Sequence, residues 1–195
     1  MKNYLRALAV PLFLSLAAAN SHATIFNYAA NLDGPSESPP NASPGTGFAL
    51  VRYDDVAHTL LVDFSWSGLT GGTTASHIHA ATPTPGTGTA GVATTTPYFA
   101  GFPIGVTSGS YSNVLDLTLA SSYNPSYISA NGGTTASAEI ALTSAIAADR
   151  AYLNIHSSTF GGGEIRGFLL PVPEPSSLAL IAVGGLALVW KRRKV

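Results

Sequence analysis

The sequence predicts an all-β protein, an antiparallel β-sandwich of about seven or more strands with a short helical insertion near 124–149. Short runs of alternating apolar and polar residues recur through 24–170, separated by Gly, Pro, Asn, Asp and Ser, which is how half-buried strands and their turns read. One stretch breaks that period and takes helical spacing instead. There is no Cys, so the fold rests on apolar burial without disulfides, which a stretch of about 150 residues can supply.

Taken in order, Phe26, Tyr28, Ala30 and Leu32 alternate with Asn27, Asn31 and Asp33 in the first strand. Residues 47–53 place Phe48 and Leu50 on one face and Val51 and Tyr53 on the other, so this strand is expected to be covered on both sides. Leu60, Val62, Phe64 and Trp66 alternate with Leu61, Asp63 and Ser65. Further strands are predicted at 75–80, 112–119, 151–157 and 164–170. Asn124-Pro125 reads as a helix cap followed by proline at the first helical position, and Gly132-Gly133 as a stop. Over 136–149, Ala138, Leu142, Ala145, Ile146 and Asp149 recur at spacings of three and four, predicting a second helix. The segment 81–110 is a long Thr-, Pro- and Gly-rich loop of the kind that is either functional or mobile.

The two ends read as addresses. Lys2 and Arg6 precede an apolar run from Ala7 to Ala19, and Ser21-His22-Ala23 places small residues before a cut between Ala23 and Thr24, the pattern of a secretory signal peptide over 1–23. At the other end Pro173-Glu174-Pro175 precedes an apolar run from Leu178 to Trp190 and then Lys191-Arg192-Arg193-Lys194. Thirteen apolar residues make about 20 Å of helix, a short transmembrane segment held by thinning and snorkelling, with the basic cluster cytoplasmic. These ends also explain the formal net charge of −1. Residues 24–172 hold three basic side chains (Arg52, Arg150, Arg166) against nine acidic ones, a net of −6, while six bases and Glu174 leave +5 on the ends. A middle segment without clustered cations excludes nucleic-acid binding.

Candidate chemistry gathers on three strands. Alternation in Ala75-Ser76-His77-Ile78-His79-Ala80 puts both histidines opposite Ile78, and in 151–156 puts Tyr152, Asn154 and His156 opposite Leu153 and Ile155. A hairpin through Ser157 to Gly163 would bring Asn154, His156, Glu164 and Arg166 to one face. Two readings stand side by side. In one, His77 and His79 chelate copper or zinc, with His156 as third ligand and Glu164 as a fourth ligand or an acceptor behind the ligands. In the other, the same histidines form a structural polar network, hydrogen-bonding across strands to Asn154, Glu164 or backbone and orienting loops, with Arg166 pairing with Glu164 or another acid. Asp33 and Glu37, in a loop, offer calcium-type ligands but read more simply as a solvated turn. No catalytic residue is assigned: the carboxylates are scattered, and no nucleophile elbow, His-Glu-x-x-His or phosphate loop occurs.

Several ordered pieces resemble the CHRD domain found in chordin and in bacterial secreted proteins. They are 28–34, Glu37-Ser38-Pro39-Pro40, 45–47, Gly68-Leu69-Thr70-Gly71, His77-Ile78-His79, 107–111, 151–156 and 162–167, together spanning about 25–169. The Pro-Glu-Pro, apolar and basic order at the C-terminus resembles the PEP-CTERM sorting signal of Gram-negative bacteria. The first resemblance implies an extracellular β domain without a defined activity over 24–170. The second implies sorting and cleavage by a membrane-embedded exosortase acting on 171–195, after export through Sec-type machinery. The expectation is therefore an exported cell-surface or extracellular structural or binding module, not an enzyme, with no cofactor required and an envelope or matrix ligand. The alternative is a copper- or zinc-binding β-sandwich, possibly redox-active.

Overall fold

In a computed structural model, residues 23–173 are described, and residues 1–22 of the expected signal peptide, Glu174, Pro175 and the C-terminal apolar run lie outside the described residues. Eight strands form: β1 (Ile25–Asp33), β2 (Thr46–Asp54), β3 (Thr59–Ser67), β4 (Thr73–Ala80), β5 (Gly109–Asp116), β6 (Ala151–Ser157), β7 (Ile165–Phe168) and β8 (Leu170–Pro171). They belong to one antiparallel sheet in the order β4-β6-β7-β1-β2-β3-β5, with β8 beside β1, curled into a half-barrel. The all-antiparallel β architecture read from the alternation is what forms, as a single continuous sheet bent over its own core.

The register explains the core. Tyr28 pairs with Val51 and Val51 with Val62, while Ala30, Ala49, Phe64 and Tyr111 form the next rung and Leu32, Gly47, Trp66 and Gly109 the one after. All these side chains therefore face one way. Gly109 carries no side chain because a Cβ there would lie 2.9 Å from the Trp66 ring. From the other end of the sheet Ile78, Leu153, Ile155 and Ile165 join the same continuous cluster. Among the described residues, every strand and this core fall within 25–171.

The gap between the outer edges of β4 and β5 is closed by the long loop rather than left open. Its residues pair with the β4 edge: Ala93 N–H donates to Ile78, Phe99 N–H to Ser76 and Gly105 N–H to Thr73. The Phe99 ring, fully buried, then stacks on Tyr111 of β5 at 5.5 Å and meets Phe64 of β3 at 6.3 Å. One side chain thus joins both rims of the half-barrel, and the loop satisfies an edge that would otherwise expose unpaired backbone.

The helical insertion forms as its signals predict. Asn124 accepts from Ser126 N–H at the start of α1 (Pro125–Ala130), Gly132 and Gly133 follow with φ of 96° and 77°, and Thr134 and Ser137 make a capping box for α2 (Thr135–Ala147). Ala138, Leu142, Ala145 and Ile146 are its buried face. The expectation for β2 is corrected: Phe48 and Leu50 are 46% and 45% exposed, with no second layer over them among the described residues. Both faces are covered instead at β4 and β6, because two loops, 34–45 and 81–98, lie over the polar side of those strands.

Candidate metal centre

β4 and β6 are neighbours, with His77 opposite Asn154, His79 opposite Tyr152 and Ala75 opposite His156. Since β7 pairs next to β6 with Asn154 opposite Arg166, the polar faces of three strands become one surface. His77, His79 and His156 meet there, with ring centroids 5.2 to 6.1 Å apart. Each ring offers a ligand nitrogen within 4.8 Å of the others.

Each imidazole is fixed by one backbone carbonyl. His77 Nε2 donates to Pro97 at 2.6 Å, His79 Nδ1 to Ala90 at 2.9 Å and His156 Nδ1 to Gly161 at 2.9 Å. A carbonyl only accepts, so each bonded nitrogen carries the proton and the second nitrogen holds a lone pair. Those second nitrogens, His77 Nδ1, His79 Nε2 and His156 Nε2, are buried and have no hydrogen-bond partner among the described residues. Burial pushes His77 and His79 down to about 4 and lowers His156 as well, against the raising effect of the carbonyl bonds. All three rings are therefore neutral near pH 7, the form that ligates a metal. Two nitrogens bound to one zinc at about 2.1 Å lie at most about 4.2 Å apart, so side-chain shifts on the order of an ångström close the set.

The surroundings are ordered around Tyr152. Its ring lies on His79 at 4.8 Å, 4° from parallel, and the Arg166 guanidinium sits 4.7 Å from its centroid. Arg166 donates to the carbonyls of Ser36 and Gly88, with Glu37 Oε2 3.8 Å from its Nε. Glu37 Oε1 accepts from Asn154 Nδ2 at 2.8 Å. Burial pushes the Glu37 carboxyl up to about 7, although Arg166, Ser38 and Asn154 each pull it down. Gly163, at φ 133°, passes so near that a Cβ would lie 2.6 Å from both Asn154 Nδ2 and Glu37 Oε1.

Two expected roles are corrected. Glu164 does not join the histidines: its Oε1 accepts from Ser43 Oγ at 2.6 Å and from Thr70 N–H and Oγ1 at 2.5 and 2.8 Å. Burial alone would raise this carboxyl, but hydrogen bonds from Ser157, Ser43 and Thr70 outweigh it and hold it low. Arg166 pairs with Glu37, not Glu164. Glu37, read as part of a solvated turn, is 7% exposed, because the Pro-rich loop folds it under Arg166. The clue available was arithmetic: a buried Arg166 needs an acid, and Glu164 and Glu37 both lay in pieces of the same resemblance. Asn154 and Arg166 both contact Glu37. Of the processing residues, Ala23 and Thr24 are exposed, with Thr24 N–H donating to Asp55, and Pro173 ends the described chain, also exposed.

A half-barrel sheet roofed by loops over a histidine cluster defines a β domain with a candidate ligand site on its covered polar face. The CHRD domain matches residues 28–169, and the chain belongs to the CHRD family. The PEP-CTERM protein-sorting motif matches residues 171–194, which makes the protein an exosortase-sorted, membrane-anchored precursor destined for the cell surface. Comparison with curated proteins and with solved structures returned no match.

Proposed function

We propose that the mature domain is a non-enzymatic metal-holding module of the cell surface, binding one copper or zinc ion through His77, His79 and His156. The observation that carries this reading is the set of three buried lone-pair nitrogens without partners. A buried polar atom left unsatisfied costs about 1–3 kcal/mol. Asn154 Oδ1 and Glu164 Oε2 are also buried without a partner, so what singles out the three rings is convergence: each offers a ligand nitrogen within 4.8 Å of the others, and a shared metal ion would satisfy them at once. Three backbone carbonyls behind the ligands fix ring orientation and tautomer, as metal sites require.

The three described glutamates are taken up in structural contacts, which supports holding an ion rather than turning over a substrate. Glu37 is committed to Asn154 and Arg166, Glu164 to Ser43 and Thr70, and Glu139 to Tyr53 and His58. An envelope or matrix ligand would then meet the domain at another surface. Mass-spectrometric metal analysis of residues 24–172, purified without chelators, tests the reading. One copper or zinc per chain is expected, with loss in His77→Asn/His79→Asn. A wild-type domain that retains neither ion after loading would contradict it.

A further inference from the structure

We infer that the three-histidine centre is built for copper(I) in preference to zinc(II), and that Arg166 sets the preference through its charge. The inference rests on the metal-binding reading above and adds the identity of the ion to it.

The ligands are three neutral rings, so nothing in the ligand set offsets the charge of the ion. Glu164, the acid on the strand hairpin next to His156, is taken up by Ser43 and Thr70. The cost of burying an ion grows with the square of its charge, so an uncompensated divalent ion is penalised about four times as heavily as a monovalent one. Three imidazole donors can complete a shell for copper(I), whereas zinc held by three histidines takes a water as its fourth ligand, which this buried cluster would have to admit.

A buried cation then biases the site further. The Arg166 guanidinium, Tyr152 and His79 form a stack, 4.7 Å from guanidinium to ring and 4.8 Å from ring to ring, which holds a fixed positive charge close to one ligand. That charge is poorly neutralised. Its two hydrogen bonds go to the neutral carbonyls of Ser36 and Gly88, and Glu37 stands off at 3.8 Å. Glu37 is itself pushed up to about 7 and carries only part of a negative charge at neutral pH. A fixed positive charge repels a divalent ion twice as strongly as a monovalent one, so it acts directly on the ratio of the two affinities.

The test measures copper(I) affinity of residues 24–172 anaerobically against bicinchoninate, and zinc affinity against a chromophoric chelator. Wild type is compared with Arg166→Met and Glu37→Gln. The ratio of copper(I) to zinc affinity is expected to fall about twentyfold in Arg166→Met, for a unit charge about 9 Å away at an effective dielectric near 20, and to rise in Glu37→Gln. Opposite signs at two touching residues are not what a general loosening of the fold would give. If Arg166→Met does not fold, Glu37→Gln still decides, since its amide keeps the bond from Asn154. An unchanged ratio, or the same direction in both variants, overturns the inference while metal binding stands. Binding of neither ion by wild type overturns the metal reading itself.

Discussion

Tyr152 lies flat against His79, with ring centroids 4.8 Å apart and planes 4° from parallel. The contact follows from register, since the two residues face each other across β4 and β6, and it makes an aromatic ring the bridge between a buried arginine and a candidate metal ligand.

The three neutral histidines predict acid sensitivity of the metal-free domain. In the folded state His77 and His79 are pushed from 6.5 down to about 4, and His156 is also lowered. A depressed histidine binds its proton more readily in the unfolded chain, so its stabilising contribution is present above pH 6.5 and is lost as pH falls through that value toward 4. The effect is on the order of 3 kcal/mol for His77 or His79. Glu37, raised from 4.5 to about 7, works in the opposite sense, favouring the fold below 4.5 and losing that contribution as pH rises toward 7. Three groups outweigh one, so urea melts should show stability falling from pH 6.5 to 4. His79→Gln should flatten that slope and Glu37→Gln should steepen it.

Phe99 is the side chain that joins both rims of the half-barrel. It is fully buried and packs on Tyr111 and Phe64. Phe99→Ala should cost about 3–5 kcal/mol in chemical denaturation. Amide exchange should speed up first in the loop that pairs with β4, around Ala93 and Phe99, because the loop loses its anchor on the far rim.

His58 is expected to titrate above its usual value. Its Nδ1 lies 2.8 Å from Glu139 Oε1, which also accepts from Tyr53 at 2.8 Å, and the Glu139 hydrogen bond raises the imidazole pKa. The pair ties the β2–β3 turn to α2. Its contribution is fully present below the ordinary value of 6.5 and is lost as pH rises through the raised one. An NMR titration should show the His58 midpoint returning toward 6.5 in Glu139→Gln; an unmoved midpoint would contradict the pairing.

What the sequence made legible was local. Alternation placed seven strands, and Asn124-Pro125, Gly132-Gly133 and the spacing of Ala138, Leu142 and Ile146 marked the helices, because each signal is complete within a few residues. His77 and His79 on one face followed from period two alone. That His156 meets them did not, since the pairing of β4 with β6 joins segments more than 70 residues apart and no local pattern encodes it. Glu37 was illegible for a related reason: Ser36-Glu37-Ser38-Pro39-Pro40 has the composition of a solvated turn, and only the tertiary fold lays it over Asn154 and Arg166. Phe48 and Leu50 misled in the other direction, because two apolar faces on β2 suggest a covering layer that the described residues do not provide.

The most direct measurement is anomalous diffraction from crystals of residues 24–172 loaded with copper or zinc. The account predicts one strong peak at about 2 Å from one ring nitrogen of each of His77, His79 and His156, with the Pro97, Ala90 and Gly161 carbonyls still bonded behind them. A peak at any other residues, or none at this cluster in a fully loaded crystal, would contradict it.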